Sequence, residues 1–422
     1  MPRVSHSPYR TLYLPPDDID VRVPYRFMGS IYDENELEAV RRVMDSQWLT
    51  TGLETVEFES EFAEMHGVPY AYAVSSCTSA LHLAAQLCRL HPGDEVITTP
   101  LTFISTNQAI LAQGATVVFA DVDERTWNID PDAVEELITD RTCALFVTHL
   151  TGQICDMDAL CGLAEQHGLL LVEDCAHTAG ATFKGQFAGS FGDAGCFSFH
   201  AIKNMTTLGE GGMLTTGRGD FAMKTPWLRS MGSRYPGDPH DDGRPGPRRY
   251  EIDDVDGHVP SNVRMSEAQA AVGREQLKKL PGLLARRREI ARRWSASLGA
   301  IRGISPPFED ERAEHAFHIY AMVVDPEEAG FTNQELHDAL LHEHGVQSMP
   351  GLYRPSYLFR QYERRGFRPG LCPRAERISE NTIQLPLSPH LTNDDVGYVE
   401  KAVHQAARSL TARPSVANAG TG

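Results

Sequence analysis

Two stretches carry residue types that could do chemistry together: Val172-Glu173-Asp174-Cys175-Ala176-His177 and Phe197-Ser198-Phe199-His200-Ala201-Ile202-Lys203-Asn204. Each reads as a buried strand running out into a loop of polar or charged residues. A lysine amine can form a Schiff base with a cofactor aldehyde, and a carboxylate can pair with a pyridinium nitrogen. An enzyme that binds pyridoxal phosphate (PLP) needs both. A lysine after a strand is by itself usually a solvated surface charge. Context separates Lys203 from that case. Asp174 closes the apolar run Leu169-Leu170-Leu171-Val172, and in open α/β sheets ligands sit beyond the carboxyl ends of the strands. Gly209-Glu210-Gly211-Gly212 then provides a flexible return into Met213-Leu214-Thr215, which reads as another strand.

Further candidates cluster around these two. Ser75-Ser76-Cys77-Thr78-Ser79 lies between a strand and a helix carrying Leu81, Leu83, Ala84 and Leu87. Such a turn offers free N–H groups and the positive end of a helix dipole to a phosphate, or is an ordinary Ser/Thr cap. Phe103, just after another strand end, could stack on a planar ring or simply be core. His177, three residues past Asp174, could meet a cofactor edge or be a structural histidine. The seventeen histidines include no His-Glu-x-x-His motif, and the eight cysteines no Cys-x-x-Cys pair, so no metal is expected.

The elements that must position these residues follow from hydrophobic pattern. Apolar runs at 71–74, 95–98, 116–120, 144–148, 169–172, 195–199 and 212–215 alternate with helical patterns. That rhythm predicts a mostly parallel seven-stranded sheet with helices on both faces. Helices are expected at 33–44 and 56–66 before it. A Gly/Pro/Asp-rich stretch from 232 to 258 reads as a long loop. A helix is expected over 265–280, ending before Pro281, and Arg286-Arg287-Arg288 with Arg292 and Arg293 reads as the solvated face of the next one. Beyond residue 300 the pattern is α+β, with strands at 318–324 and 383–387 and helices at 333–344 and 393–410. The expected organisation is an N-terminal arm (1–24), a large cofactor-binding domain (25–260), a smaller C-terminal domain (261–410) and a flexible tail (411–422).

Composition bounds the partners. Lys+Arg 39 against Asp+Glu 57 gives a net charge of −18, which argues against nucleic acid and anionic membrane surfaces. There is no stretch of about 18 apolar residues and no apolar leader after Met1. The cysteines at 77, 88, 143, 155, 161, 175, 196 and 372 read as reduced and mostly buried. The expectation is a cytoplasmic protein acting on small molecules.

Taken in order, Ser75-Ser76-Cys77-Thr78-Ser79-Ala80-Leu81, Gly93-Asp94-Glu95-Val96-Ile97, Glu173-Asp174-Cys175-Ala176-His177, Ser198-Phe199-His200-Ala201-Ile202-Lys203 and Gly209-Glu210-Gly211-Gly212 resemble the signatures of the DegT/DnrJ/StrS aminotransferases. Asn262-Val263-Arg264-Met265, Gln269-Ala270-Ala271-Val272-Gly273 and Leu385-Pro386-Leu387 extend the resemblance to roughly residues 25–405. The resemblance implies a fold-type I PLP enzyme, a homodimer with active sites at the subunit interface. It also implies amino transfer from glutamate or glutamine to a keto sugar, nucleotide-linked or not, or to a cyclitol ketone, in the making of an amino sugar or related natural product. By motif, Lys203 is the Schiff-base lysine, Asp174 the pyridinium partner, and Phe103 the stacking ring. Cys77, Thr78 and Ser198 would hold the phosphate, with Asn262 reaching in from the other subunit. From its position alone, Asn262 could instead cap the helix that follows it. Cys77 stands where the family more often has Gly, and His177 where Gln is frequent. Two alternatives remain at this point: a sugar dehydratase of the same family, whose class replaces the lysine with histidine, and a non-catalytic PLP-binding regulator.

Overall fold

A computed structural model describes residues 19–25, 29–233 and 254–412. Seven strands form one sheet: β1 (Tyr70–Val74), β2 (Glu95–Thr98), β3 (Thr116–Phe119), β4 (Thr142–Thr148), β5 (Leu170–Asp174), β6 (Ala194–Ser198) and β7 (Gly212–Thr216), in the order β1-β7-β6-β5-β4-β2-β3. These are the seven apolar runs expected from sequence. β2, β3, β4, β5 and β6 pair in parallel, while β7 runs antiparallel to β6 and β1. The mostly parallel seven-stranded sheet is thus as expected from the sequence.

Both faces of this sheet are covered, and strand alternation divides its side chains between two cores. Val74, Val96, Phe146, Val172 and Leu214 pack on one face with Leu81 and Ala84 of the helix Cys77–Leu87. Ala73, Ile97, Leu145, Leu171 and Met213 pack on the other with Phe58 and Phe62 of the helix Leu53–His66. Asp174 therefore points to the Cys77–Leu87 side and Glu173 away from it.

A second, antiparallel sheet contains β8 (Tyr320–Val324) and β9 (Thr382–Leu385). It packs with Trp294, Val399 and Val403 in a core of its own. The two cores are joined by one helix, Glu267–Leu298, rather than the two shorter ones expected. It passes through Pro281 unbroken. Leu277, Leu280 and Leu284 bury against the first core, and Ile290, Trp294 and Leu298 against the second, so apolar packing on both sides of the proline outweighs its missing N–H. This helix starts two residues later than expected and is capped by Ser266, in a reciprocal pair with Gln269, rather than by Asn262.

The arginine run is also corrected. Arg287 is fully buried and not on a solvated face. It donates to the carbonyl oxygens of Gly29 (2.7 Å), Phe317 (3.1 Å) and His318 (3.4 Å). Within the expected N-terminal arm, residues 1–18 lie outside the described residues. Val23 is buried and bridged to Val346, its N–H bonded to Gly345. Of the expected 232–258 loop, 234–253 lie outside the described residues, as do 413–422 of the tail.

Candidate active site

Lys203 lies in the turn that follows β6, its N–H bonded to the His200 carbonyl. The segment around Gly29 passes so close that a Cβ there would overlap the Ile202 and Lys203 carbonyl oxygens, which explains glycine at that position. The lysine is buried. Burial lowers its pKa to about 8, against the opposing pull of Asp174 and, more weakly, Cys77. A neutral amine is thus accessible near physiological pH.

Asp174 ends β5 and is held at both oxygens. Oδ2 accepts the Thr106 hydroxyl at 2.6 Å and Oδ1 the Ala176 N–H at 3.0 Å. Thr106 belongs to a buried hydroxyl chain that continues through Thr102 (2.8 Å) to Thr148 (3.0 Å). The Cys77 thiol turns inward, 3.7 Å from Asp174 Oδ1 and 3.4 Å from the Cys196 carbonyl. Only its backbone is left for an anion. Ser76 caps this helix through the Ser79 N–H, and by helix geometry the N–H groups of Cys77 and Thr78 lack intrahelical acceptors. Ser198 pairs with Gly212 across β6 and β7. A Cβ on Gly212 would strike the Ser76–Cys77 backbone, so Ser198 and the turn meet there only because that residue is glycine.

His177 is buried, and desolvation together with Lys203 pushes its pKa well down. Its Nε2 lies 3.2 Å from the Tyr353 hydroxyl, and Nδ1 has no partner among the described residues. His318 stacks on it with ring centroids 4.4 Å apart and reaches Lys203 Nζ at 3.5 Å. Phe103 is 57% exposed. It lines a cavity of about 310 Å³ together with Ile202, His318, Tyr353, Tyr25 and Leu387. A larger groove of about 1010 Å³ lies beside residues 299–306, and none of the candidate residues lines it. Asn262 is exposed, its backbone bridged to Ser230. The next residue, Val263, accepts the Ser75 N–H at 2.7 Å, so the backbone beside Asn262 runs along the Ser75–Ser79 turn.

Sequence reasoning missed Thr106, His318, Tyr353 and Arg287. His318 sits two residues before β8, where it reads as part of an apolar strand, and only the packing of that strand beside the Lys203 turn gives it a role.

The site fits PLP: a buried low-pKa amine, a hydrogen-bonded carboxylate, an unpartnered ring nitrogen on His177, and a glycine-dependent N–H turn. The His149, Glu173 and Cys175 group on the opposite face is different. Its ligand atoms lie within 4.8 Å of one another, but they are already engaged. Glu173 accepts the N–H groups of Gly189, Phe191 and Gly192 and pairs with His149 at 3.0 Å, while His149 Nδ1 accepts the Cys155 N–H. All eight cysteines are free, and six are buried. Among the described residues no helix is long and apolar enough to cross a membrane.

A model of the DegT/DnrJ/EryC1/StrS aminotransferase family matches residues 30–404. The spore coat polysaccharide biosynthesis protein SpsC of Bacillus subtilis (strain 168) is 40% identical over 382 residues, covering 89% of this chain and 95% of the relative. The X-ray structure of an aminotransferase from Psychrobacter cryohalolentis superposes with a TM-score of 0.83 at 34% identity, covering 90% of this chain and 98% of that one. Helicobacter pylori PseC, an aminotransferase involved in the biosynthesis of pseudoaminic acid, gives 0.81 at 27% identity, covering 91% and 99%.

Proposed function

This chain belongs to the DegT/DnrJ/EryC1/StrS aminotransferase family and is a PLP-dependent aminotransferase, and we propose that it moves the amino group of glutamate or glutamine onto a keto sugar. The observation that carries the reading is Lys203, a buried amine whose pKa burial lowers to about 8, near the Asp174 carboxylate at the C-terminal end of β5. A sugar-derived ketone is favoured over a free cyclitol ketone by the relatives, whose names tie SpsC to a polysaccharide and PseC to pseudoaminic acid.

When bound, the cofactor supplies an aldehyde carbon for amine capture and a ring that accepts an electron pair. The protein's residues do the rest. Lys203 would hold the cofactor through its amine, and as a free neutral amine it would take and return the substrate proton. Asp174, its carboxylate oxygens fixed by Thr106 and Ala176, would pair with the pyridine nitrogen and favour its protonated form. Phe103 would stack on the ring and His177 would meet its edge. The Cys77 and Thr78 N–H groups with Ser198 would hold the phosphate, and Asn262 of the partner subunit would complete that seat in a homodimer. In this arrangement the large unit binds the cofactor and the smaller C-terminal unit closes the substrate side through His318 and Tyr353.

Glutamate and glutamine are expected to bleach the yellow form of the purified protein without any ketone, because the donor half-reaction is independent in a ping-pong scheme. A nucleotide-linked keto sugar should then restore the colour. Failure of every amino donor to bleach it would overturn the transfer reading.

A further inference from the structure

Asn204 and His318 meet beside Lys203 in a geometry that fixes where the imidazole proton sits. Asn204 Nδ2 donates to the Ala316 carbonyl at 3.0 Å. A carbonyl oxygen only accepts, so the amide nitrogen is held there and Oδ1 is the atom that faces His318 Nδ1 at 3.4 Å. An amide oxygen also only accepts, so Nδ1 carries the hydrogen and Nε2 the lone pair. That lone pair faces Lys203 Nζ at 3.5 Å, a separation that can tighten when a ligand fills the site.

The surroundings keep the ring neutral. Burial comes first, followed by the electrostatic influence of Lys203, with smaller contributions from His177, Arg287 and His200, and together they push His318 well below the usual histidine range. Asp174 and Cys77, the groups that favour the charged amine, act on Lys203 rather than on His318. Arg287 bonds the carbonyl of His318 itself, and His177 covers one face of the ring at an interplanar angle of 29°.

We infer that His318 is a positioning residue: its neutral Nε2 accepts one N–H of the free Lys203 amine, which orients that amine and leaves its lone pair for the substrate proton. The inference rests on Lys203 being the reactive amine. Nothing is oxidised and no bond to His318 forms. The histidine contributes direction, and Asn204 contributes the tautomer that makes the direction useful.

The test uses full-length protein whose cofactor has been removed with hydroxylamine and is reloaded with PLP, the rise of the yellow band reporting amine capture as a function of pH. In the unsubstituted protein the rate should rise through about pH 8. His318→Phe keeps the ring stacked on His177 but has no acceptor. Its midpoint should fall, because the charged amine loses a partner, and its plateau should drop by about tenfold or more. His318→Gln, which restores an acceptor, should return the midpoint and recover part of the rate. Should the Phe variant not fold, Asn204→Ala leaves the imidazole in place and frees its tautomer, and a smaller change in the same direction is expected. If whichever of these two variants folds keeps its midpoint and plateau within about twofold of the unsubstituted protein, the inference is overturned. Borohydride reduction of the reloaded protein separates the two levels. A label on another lysine overturns the Lys203 reading, whereas a label on Lys203 with an unaltered profile in the folded His318→Phe protein overturns only the role of His318.

Discussion

Glu173 and Asp174 are neighbours in β5 whose carboxylates serve opposite faces of the sheet. Glu173 collects three backbone N–H groups and His149, and so pins the 189–192 turn. Among the described residues Asp174 collects only Thr106 and Ala176, besides the weak Cys77 thiol contact, and faces the Lys203 side. One is a structural staple, and the other is left with fewer backbone partners on the Lys203 side. Asp174→Asn should therefore retain part of the bound cofactor and lose most transfer activity, since a neutral amide cannot favour a protonated pyridine nitrogen. Thr106→Val, which removes one donor to the carboxylate at a cost of about 1.5–3 kcal/mol, should give a smaller loss of the same kind. Steady-state rates together with the bound cofactor per chain distinguish these outcomes from unfolding.

Lys203 is expected to carry the cofactor through a reducible carbon–nitrogen bond. Borohydride should fix the label to the peptide containing Lys203, and Lys203→Ala should abolish turnover while leaving the fold intact. The sign of the pH dependence follows from the lowered pKa: below about 8 the amine is protonated and cannot take a proton, so the donor half-reaction should accelerate as pH rises through that value. A rate that falls over the same range would contradict Lys203 as the base.

The strands were legible because most are buried on both faces and read as short apolar runs. The lysine and aspartate were legible because they sit where those runs end. The rest depended on distant contacts. Arg287 looks like a surface charge until the carbonyls of Gly29, Phe317 and His318 are assembled around it. Pro281 looks like a stop until the leucines on both sides of it are seen to bury. Thr106, Tyr353 and His318 have ordinary local patterns, and 115 residues separate His318 from the lysine it faces. No local spacing rule spans that distance.

The buried pair Glu59 and Arg229 supports the approach to the Ser75–Ser79 turn. Glu59 accepts the Ala73 N–H at 2.8 Å and pairs with Arg229, which donates to the Ala73 carbonyl at 3.0 Å. Both backbone groups of Ala73, two residues before Ser75, are thereby tied. Glu59→Leu would leave the guanidinium buried without its carboxylate, and stability should fall by about 3–5 kcal/mol. Denaturant unfolding followed by circular dichroism measures this. A change under about 1 kcal/mol would mean that the pair is relieved by solvent.

The last prediction concerns assembly. Asn262 does not cap the following helix, since Ser266 does, and its side chain is exposed. Nearby in the chain Val259 is 74% exposed. Leu49, tied by its carbonyl to the start of the Glu267–Leu298 helix, and Trp48 beside it are exposed as well. Exposed apolar side chains near this asparagine in the chain and at the start of the helix that follows are what a second copy of the chain would cover. If Asn262 serves the neighbour's phosphate seat, an inactive Lys203→Ala subunit mixed with an inactive, cofactor-weakened Asn262→Ala subunit should regain activity. One of the two sites in each mixed dimer then has both native groups, so recovery should approach a quarter of the unsubstituted activity when subunits exchange freely in equal amounts, since about half the dimers are mixed and each has one of two sites intact. The readout is turnover after mixing, with mixed dimers confirmed by differently tagged subunits. Asn262→Ala must first impair activity on its own. If it has no effect, or if mixed dimers form without recovering turnover, Asn262 acts within its own subunit or not at all.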